Sequence, residues 1–84
     1  MIDEKPITIL LVDDHMMVRQ GLVYFLSALP MMEIIGQAET GRQAIELTEK
    51  LQPQVILMDL ILPDIDGLEA TRIIKGKYPD KIAP

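Results

Sequence analysis

Three mostly apolar runs divide the chain, and each is followed by a segment whose apolar residues recur at helical spacing. Residues 7–12 are apolar at nearly every position and rich in branched side chains. A near-continuous apolar run is typical of a strand covered on both faces, as in parallel sheets. Residues 55–58 have the same character, whereas residues 32–38 contain more polar residues and predict a strand at the edge of the sheet.

Between these runs, the spacing of apolar residues predicts three helices. The first covers about residues 15–29 and is stopped by Pro30. Thr40, with Gln43 three residues later, forms a capping-box pattern that predicts the start of the second. The third is predicted over about residues 68–77. The apolar face predicted for the first helix consists of Val18, Leu22, Phe25, Leu26 and Leu29.

The order β-α-β-α-β-α, with short connections, predicts an α/β fold. Such alternation indicates a doubly wound parallel sheet with helices on both faces, joined by right-handed crossovers. The chain has 84 residues, of which 49% are hydrophobic and 25% charged, and this balance is typical of a globular protein. The length is short for a domain but sufficient for a small core.

Charge and composition exclude several classes of protein. The net charge of -5 argues against binding of a nucleic-acid backbone by these residues. The absence of cysteine excludes disulfides and thiolate metal sites. The N-terminus lacks the apolar segment of a signal peptide, and no apolar run is long enough to cross a membrane. We expect a soluble, cytoplasmic protein without a membrane interaction.

Three aspartates stand where two predicted strands end: Asp13 and Asp14 after the first, and Asp59 after the third. Ligands of open parallel sheets bind outside the carboxyl ends of the strands, where we expect these carboxylates to meet. Three neighbouring carboxylates repel one another, and a divalent cation removes that repulsion. With oxygen donors and no His or Cys expected nearby, the set favours Mg²⁺. On spacing alone, solvated acids that merely end the strands explain the pattern equally well.

Two sets of residues resemble the receiver domain of bacterial two-component response regulators. They are Val12-Asp13-Asp14-His15, and Leu57-Met58-Asp59-Leu60 with Pro63 and Asp66-Gly67. The longer strings at residues 12–22 and 66–72 resemble the NarL/FixJ (LuxR-type) subfamily. The resemblance covers essentially all of residues 1–84, which would be the N-terminal part of a receiver domain.

The resemblance implies a role for each acid. Asp59 would be the phosphoryl acceptor, while Asp13, Asp14, Asp59 and the backbone carbonyl of Ile61 would bind Mg²⁺. The donor would be a sensor histidine kinase or a small acyl phosphate, and the parent protein a transcription regulator. We interpret His15 as a polar residue that starts the first helix rather than as a catalytic base.

The resemblance also implies parts that this chain lacks. A whole receiver has five strands in the order 2-1-3-4-5, and this chain is expected to end before the fourth. The switch Ser/Thr, the conserved Lys and the C-terminal DNA-binding domain would lie beyond it, so DNA would be contacted only by that absent domain. The third strand would then form an exposed apolar edge, and we expect self-association through it.

Two alternatives to phosphoryl acceptance stay open. One is an interaction or dimerisation fragment of the same fold that is not phosphorylated. The other is a phosphohydrolase of the haloacid-dehalogenase type, which needs a second Asp two residues after the nucleophile, where this chain has Ile61. A dinucleotide-binding domain is disfavoured because no glycine-rich turn follows the first strand.

Overall fold

Residues 5–59, 62–64, 67–79 and 82–83 are described by a computed structural model, in which a parallel sheet alternates with helices. The sheet order is β2-β1-β3-β4, and all neighbouring strands are parallel. The predicted alternation and the position of β2 at an edge are therefore confirmed. The elements are β1 (Ile7–Val12), α1 (Met16–Ser27), β2 (Met32–Ala38), α2 (Gly41–Leu51), β3 (Val55–Met58), α3 (Gly67–Lys77) and β4 (Ile82–Ala83).

The two faces of the sheet are covered by different helices. Alternate residues of a strand point to opposite faces, and the even-numbered residues of β1 and β3 face α2 and α3. Ile9 and Leu11 are also buried and face the side of α1. The core on the α2 and α3 side contains Leu10, Val12, Ala38, Ala44, Ile56, Met58, Leu62, Ala70 and Ile74.

No helix among the described residues is long and apolar enough to cross a bilayer.

The pairing of β1 with β2 contains one irregularity, and Gly36 lies at it. Ile9 pairs with Ile34 but Leu10 pairs with Gly36, so one residue of β2 is left out of the register. A Cβ at position 36 would lie 2.8 Å from Leu51 Cδ1 and 3.2 Å from Leu10 Cδ1. A glycine here therefore lets α2 pack closely against the sheet.

Part of the apolar face of helix α1 is exposed. The helix ends at Ser27, earlier than the predicted residue 29. Leu26 is buried, but Val18 and Phe25 are 50% and 64% exposed. β2 is the main described neighbour of α1, so part of the predicted apolar face lies exposed.

The fourth strand is the second correction. Ile82 and Ala83 form a short parallel pairing with Ile56 and Leu57 of β3, so the prediction that the chain ends before a fourth strand is wrong. For the same reason β3 is not a free edge at these two residues. Self-association through β3 stays a prediction, although β4 covers two of the four residues of this edge.

The N-terminus of α2 is capped from two directions. Thr40 Oγ1 accepts a hydrogen bond from Gln43 N at 3.1 Å, which confirms the predicted cap. Gln43 Oε1 accepts from the Glu39 amide rather than from the amide of Thr40. The remaining amides of the first turn, those of Gly41 and Arg42, donate to the Asp64 carboxylate at 2.8 and 3.0 Å. Asp64 thus binds the loop after β3 to the positive end of α2.

Replacing Asp64 with alanine should lower the free energy of unfolding by about 1–2 kcal/mol, because two helix amides lose their acceptor. Asp64→Asn keeps one carbonyl oxygen and should lower the free energy of unfolding by a smaller amount. Urea denaturation followed by circular dichroism measures both. Equal stability of the Asp64→Ala variant and the unmodified chain would show that this cap does not stabilise α2.

Candidate functional site

The carboxyl ends of β1 and β3 place the predicted acids together. Val12 and Met58 are paired across the two strands, so the residues that follow them emerge side by side. The ladder continues into the acids, since Asp13 N donates to Ala38 O at 3.0 Å and Asp59 N to Val12 O at 2.9 Å. One oxygen each of Asp13, Asp14 and Asp59, with a ring nitrogen of His15, lie within 4.8 Å of one another. The structure therefore brings the three carboxylates together as the sheet topology predicts.

The three carboxylates differ in their access to solvent. The side chain of Asp13 is 13% exposed, that of Asp59 27% and that of Asp14 33%. Partial burial of three like charges is unfavourable without a compensating positive charge or hydrogen-bond donor. Asp59 nevertheless keeps enough exposure for a small reactant to approach its oxygens.

His15 supplies such a donor. It is the N-cap residue of α1 with extended backbone, but its side chain makes no capping hydrogen bond. Its Nδ1 lies 3.1 Å from Asp13 Oδ1, 3.1 Å from Asp14 Oδ1 and 3.9 Å from Asp59 Oδ2. The hydrogen bond to Asp13, and then the charge of Asp14, raise the pKa of His15 above its usual value.

The contacts of His15 correct one expectation from the sequence. Its place at the start of the helix agrees with the interpretation of this residue. The expectation that no histidine lies near the acids is wrong, because the ring turns towards them and not towards the helix amides. Its position immediately after the two aspartates was the signal that could have indicated this contact.

Arg19 holds the backbone that carries the acids, a role that the sequence analysis missed. The side chain is 10% exposed and lies between α1 and the end of β2. Its Nη1 donates to Asp13 O at 2.7 Å, its Nε to Gln37 Oε1 at 3.1 Å and its Nη2 to Glu39 Oε1 at 3.1 Å. The guanidinium thereby fixes the position of Asp13 relative to α1 and β2. The available signal was a lone arginine on a mainly apolar helix.

A groove of about 310 Å³ adjoins the acids on the α1 side of the sheet. Its wall is mostly apolar and also includes Asp13 and Asp59. The lining residues are Leu11, Val12, Asp13, Leu22, Leu57, Met58 and Asp59.

One predicted ligand cannot be placed at the site. Ile61 lies outside the described residues, so the role of its backbone carbonyl stays a prediction. The metal and phosphoryl roles of Asp13, Asp14 and Asp59 are likewise predictions, to which the structure adds their proximity.

Comparisons with known proteins show which family the chain belongs to. Transcriptional regulatory protein LiaR of Bacillus subtilis (strain 168) is 52% identical over 74 residues, covering 88% of this chain and 35% of that protein. Nitrate/nitrite response regulator protein NarL of Escherichia coli (strain K12) is 43% identical over 77 residues, covering 92% and 36%. The chain thus spans about a third of the length of these relatives.

Solved structures of response regulators also resemble this chain. A two-component response regulator of the LuxR family from Aurantimonas sp. SI85-9A1 superposes with a TM-score of 0.87 at 33% identity, covering 93% of this chain and 56% of that one. The family described as the response regulator receiver domain matches residues 9–82. With its parallel sheet, its acids at the strand ends and its similarity to NarL- and LuxR-type regulators, the chain belongs to the response regulator receiver domain family, whose members are signalling modules rather than enzymes.

Proposed function

We propose that this chain is the phosphoacceptor module of a two-component response regulator and that Asp59 accepts the phosphoryl group. The observation that carries the proposal is the meeting of three carboxylates at the accessible ends of β1 and β3 in a chain of this family. Membership of the family implies a sensor kinase partner, and we propose a sensor histidine kinase as the donor. We propose that the phosphoryl transfer to Asp59 takes place in the cytoplasm.

The donor set fits Mg²⁺. Asp13, Asp14 and Asp59 offer carboxylate oxygens close together, and the proposed Ile61 carbonyl would add a fourth oxygen donor. Mg²⁺ is bound through a few carboxylates while it keeps several waters, so three strand-end aspartates suffice. When bound, it supplies the positive charge that lets an anionic carboxylate approach an anionic phosphoryl group.

The phosphoryl transfer itself would be carried out by residues of this chain. An oxygen of Asp59 attacks the phosphorus of the donor, and a P–O bond forms as the P–N bond of the phosphohistidine breaks. The electron pair of that bond stays on the donor imidazole, which takes up a proton from solvent. Arg19 and the ladder hydrogen bonds of Asp13 and Asp59 keep the acids in place during this exchange.

We also propose that residues 1–84 are the N-terminal part of the receiver of a transcription regulator. The parent would contact DNA through a C-terminal domain outside this chain. This agrees with the net charge of -5, which does not favour direct contact with DNA. The alternative, an interaction module without phosphorylation, would use the fold but not the chemistry of Asp59.

Incubation with Mg²⁺ and a small acyl phosphate tests the proposal. We expect the chain to gain about 80 Da, the mass of one phosphoryl group, in an adduct that is lost on acid treatment. Intact mass spectrometry measures the gain. Asp59→Asn should abolish it, because an amide oxygen is a far weaker nucleophile than a carboxylate.

The matched control is Glu69→Gln, which removes a carboxylate from the exposed surface of α3 and should leave the adduct unchanged. An adduct that persists in Asp59→Asn would place the phosphoryl group elsewhere. No adduct in the unmodified chain and none in the parent protein, which would also contain the switch Ser/Thr and the conserved Lys, would favour the interaction module.

A further inference from the structure

His15 is the one side chain in the acid cluster that can offer a nitrogen to a metal. The chain contains a single histidine and no cysteine, so no other imidazole or thiolate competes with it. Imidazole suits transition metals such as Zn²⁺, whereas carboxylates alone suit Mg²⁺. The identity of the metal that binds here therefore depends on whether His15 takes part.

The geometry around Nδ1 permits it to take part. Ligands about 2.0–2.2 Å from a tetrahedral metal lie roughly 3.3–3.6 Å from one another. His15 Nδ1 is 3.1 Å from oxygens of Asp13 and Asp14 and 3.9 Å from an oxygen of Asp59. These three distances are within a few tenths of an ångström of that spacing. The four ligand atoms together lie within 4.8 Å of one another, so the carboxylates would close around the metal, and the ring, whose side chain is 66% exposed, has room to follow them.

We propose that His15 sets the metal selectivity of this site: it binds divalent transition metals of the Zn²⁺ type together with the aspartates, and it moves aside for Mg²⁺. This inference rests on the metal site of the proposed function.

The two metals make opposite demands on the imidazole. With Zn²⁺, the nitrogen replaces its contacts to the carboxylates by a metal–nitrogen bond, so the site gains a ligand. Mg²⁺ prefers oxygen and octahedral geometry, and it draws Asp13 and Asp14 away from the ring. The His15 contacts stabilise the metal-free site and must be given up when Mg²⁺ binds. Loss of His15 should therefore weaken Zn²⁺ binding without weakening Mg²⁺ binding.

Calorimetric titration of the tag-free 84-residue chain with ZnCl₂ and with MgCl₂ tests this selectivity. In His15→Ala we expect the dissociation constant for Zn²⁺ to rise about tenfold or more, the scale of losing a metal-site contact. The constant for Mg²⁺ should stay the same or fall. His15→Gln keeps a hydrogen-bond donor but no imidazole, and should behave like His15→Ala towards Zn²⁺.

Proton NMR gives a readout that does not require a substitution of His15. Because the chain has one histidine, its imidazole signals report on His15 alone. Zn²⁺ should shift them strongly in the unmodified chain, and Asp13→Asn should reduce the shift because the same site is involved. Circular dichroism melting of each variant checks that it is folded. We expect the His15 variants to fold, because the His15 side chain is 66% exposed.

Two results would overturn the inference. One is an unchanged Zn²⁺ constant in His15→Ala together with unmoved imidazole signals. The other is an equal loss of affinity for both metals, which would make His15 a general support of the site. Failure of the proposed function is separate, because it would appear as the absence of a phosphoryl adduct whichever metals bind and whatever His15 does.

Discussion

Replacing Leu10 with alanine is expected to lower the free energy of unfolding by about 2–5 kcal/mol. A domain of this length has about 4–13 kcal/mol in total, so much of its stability should be lost. Leu10 is fully buried, on a strand with neighbours on both sides, and it packs in the core towards α2 and α3. The deletion leaves a cavity at the point where that core meets the sheet, and close packing around it limits collapse.

Urea denaturation followed by circular dichroism measures this loss. Leu68→Ala is the matched control, because it deletes the same atoms from a leucine that is 60% exposed at the start of α3. It should change the free energy of unfolding by no more than about 0.5 kcal/mol. Similar losses in the two variants would mean that β1 does not have the central place described above.

Arg19→Met should destabilise the fold and also weaken the site. The methionine keeps the apolar stem but removes the hydrogen bonds to Asp13 O, Gln37 and Glu39. Loss of hydrogen bonds from a charged, mostly buried group should lower the free energy of unfolding by about 1.5–3 kcal/mol. Because Asp13 loses the contact that fixes its backbone, affinity for Mg²⁺ should fall roughly tenfold, as when the supporting contacts of metal ligands are removed.

Denaturation and calorimetric Mg²⁺ titration measure the two effects separately. Arg19→Lys keeps the charge but not the planar set of guanidinium donors, so it should retain only part of the stability and part of the Mg²⁺ affinity. Arg72→Met is the matched control, since Arg72 is 72% exposed and its contact with Glu69 is a surface ion pair. If Arg19→Met lowered stability but left Mg²⁺ affinity intact, Arg19 would support the fold and not the acids.

The sequence predicted the elements that repeat a simple pattern. The apolar runs of β1 and β3 gave their bounds, because a buried strand leaves few positions for polar residues. The meeting of Asp13 and Asp59 followed from the same patterns, since parallel neighbours end at the same edge of a sheet. These predictions needed only periodicity and topology.

The contacts that the sequence did not predict depend on side-chain direction or on partners far along the chain. The position of His15 next to the two aspartates permits a contact with them, but it also permits a ring that caps the helix amides, and the side-chain torsions decide between the two. The fork of Arg19 reaches β2, whose position appears only once the sheet is formed. An amphipathic pattern identifies an apolar face but not the element that covers it, so the pattern does not show which apolar residues of α1, such as Phe25, stay exposed.

The two-sided cap of α2 has a consequence for the order in which the chain folds. Thr40 meets its partner amide three residues away, but Asp64 lies 23 residues from Gly41 and 22 from Arg42. A contact between such distant residues forms only after the intervening chain has been closed into a loop. The later turns of α2 can therefore form early, while its first turn is completed only when β3 has docked beside β1. The first turn of α2 and Asp64 thus become ordered in the same cooperative step.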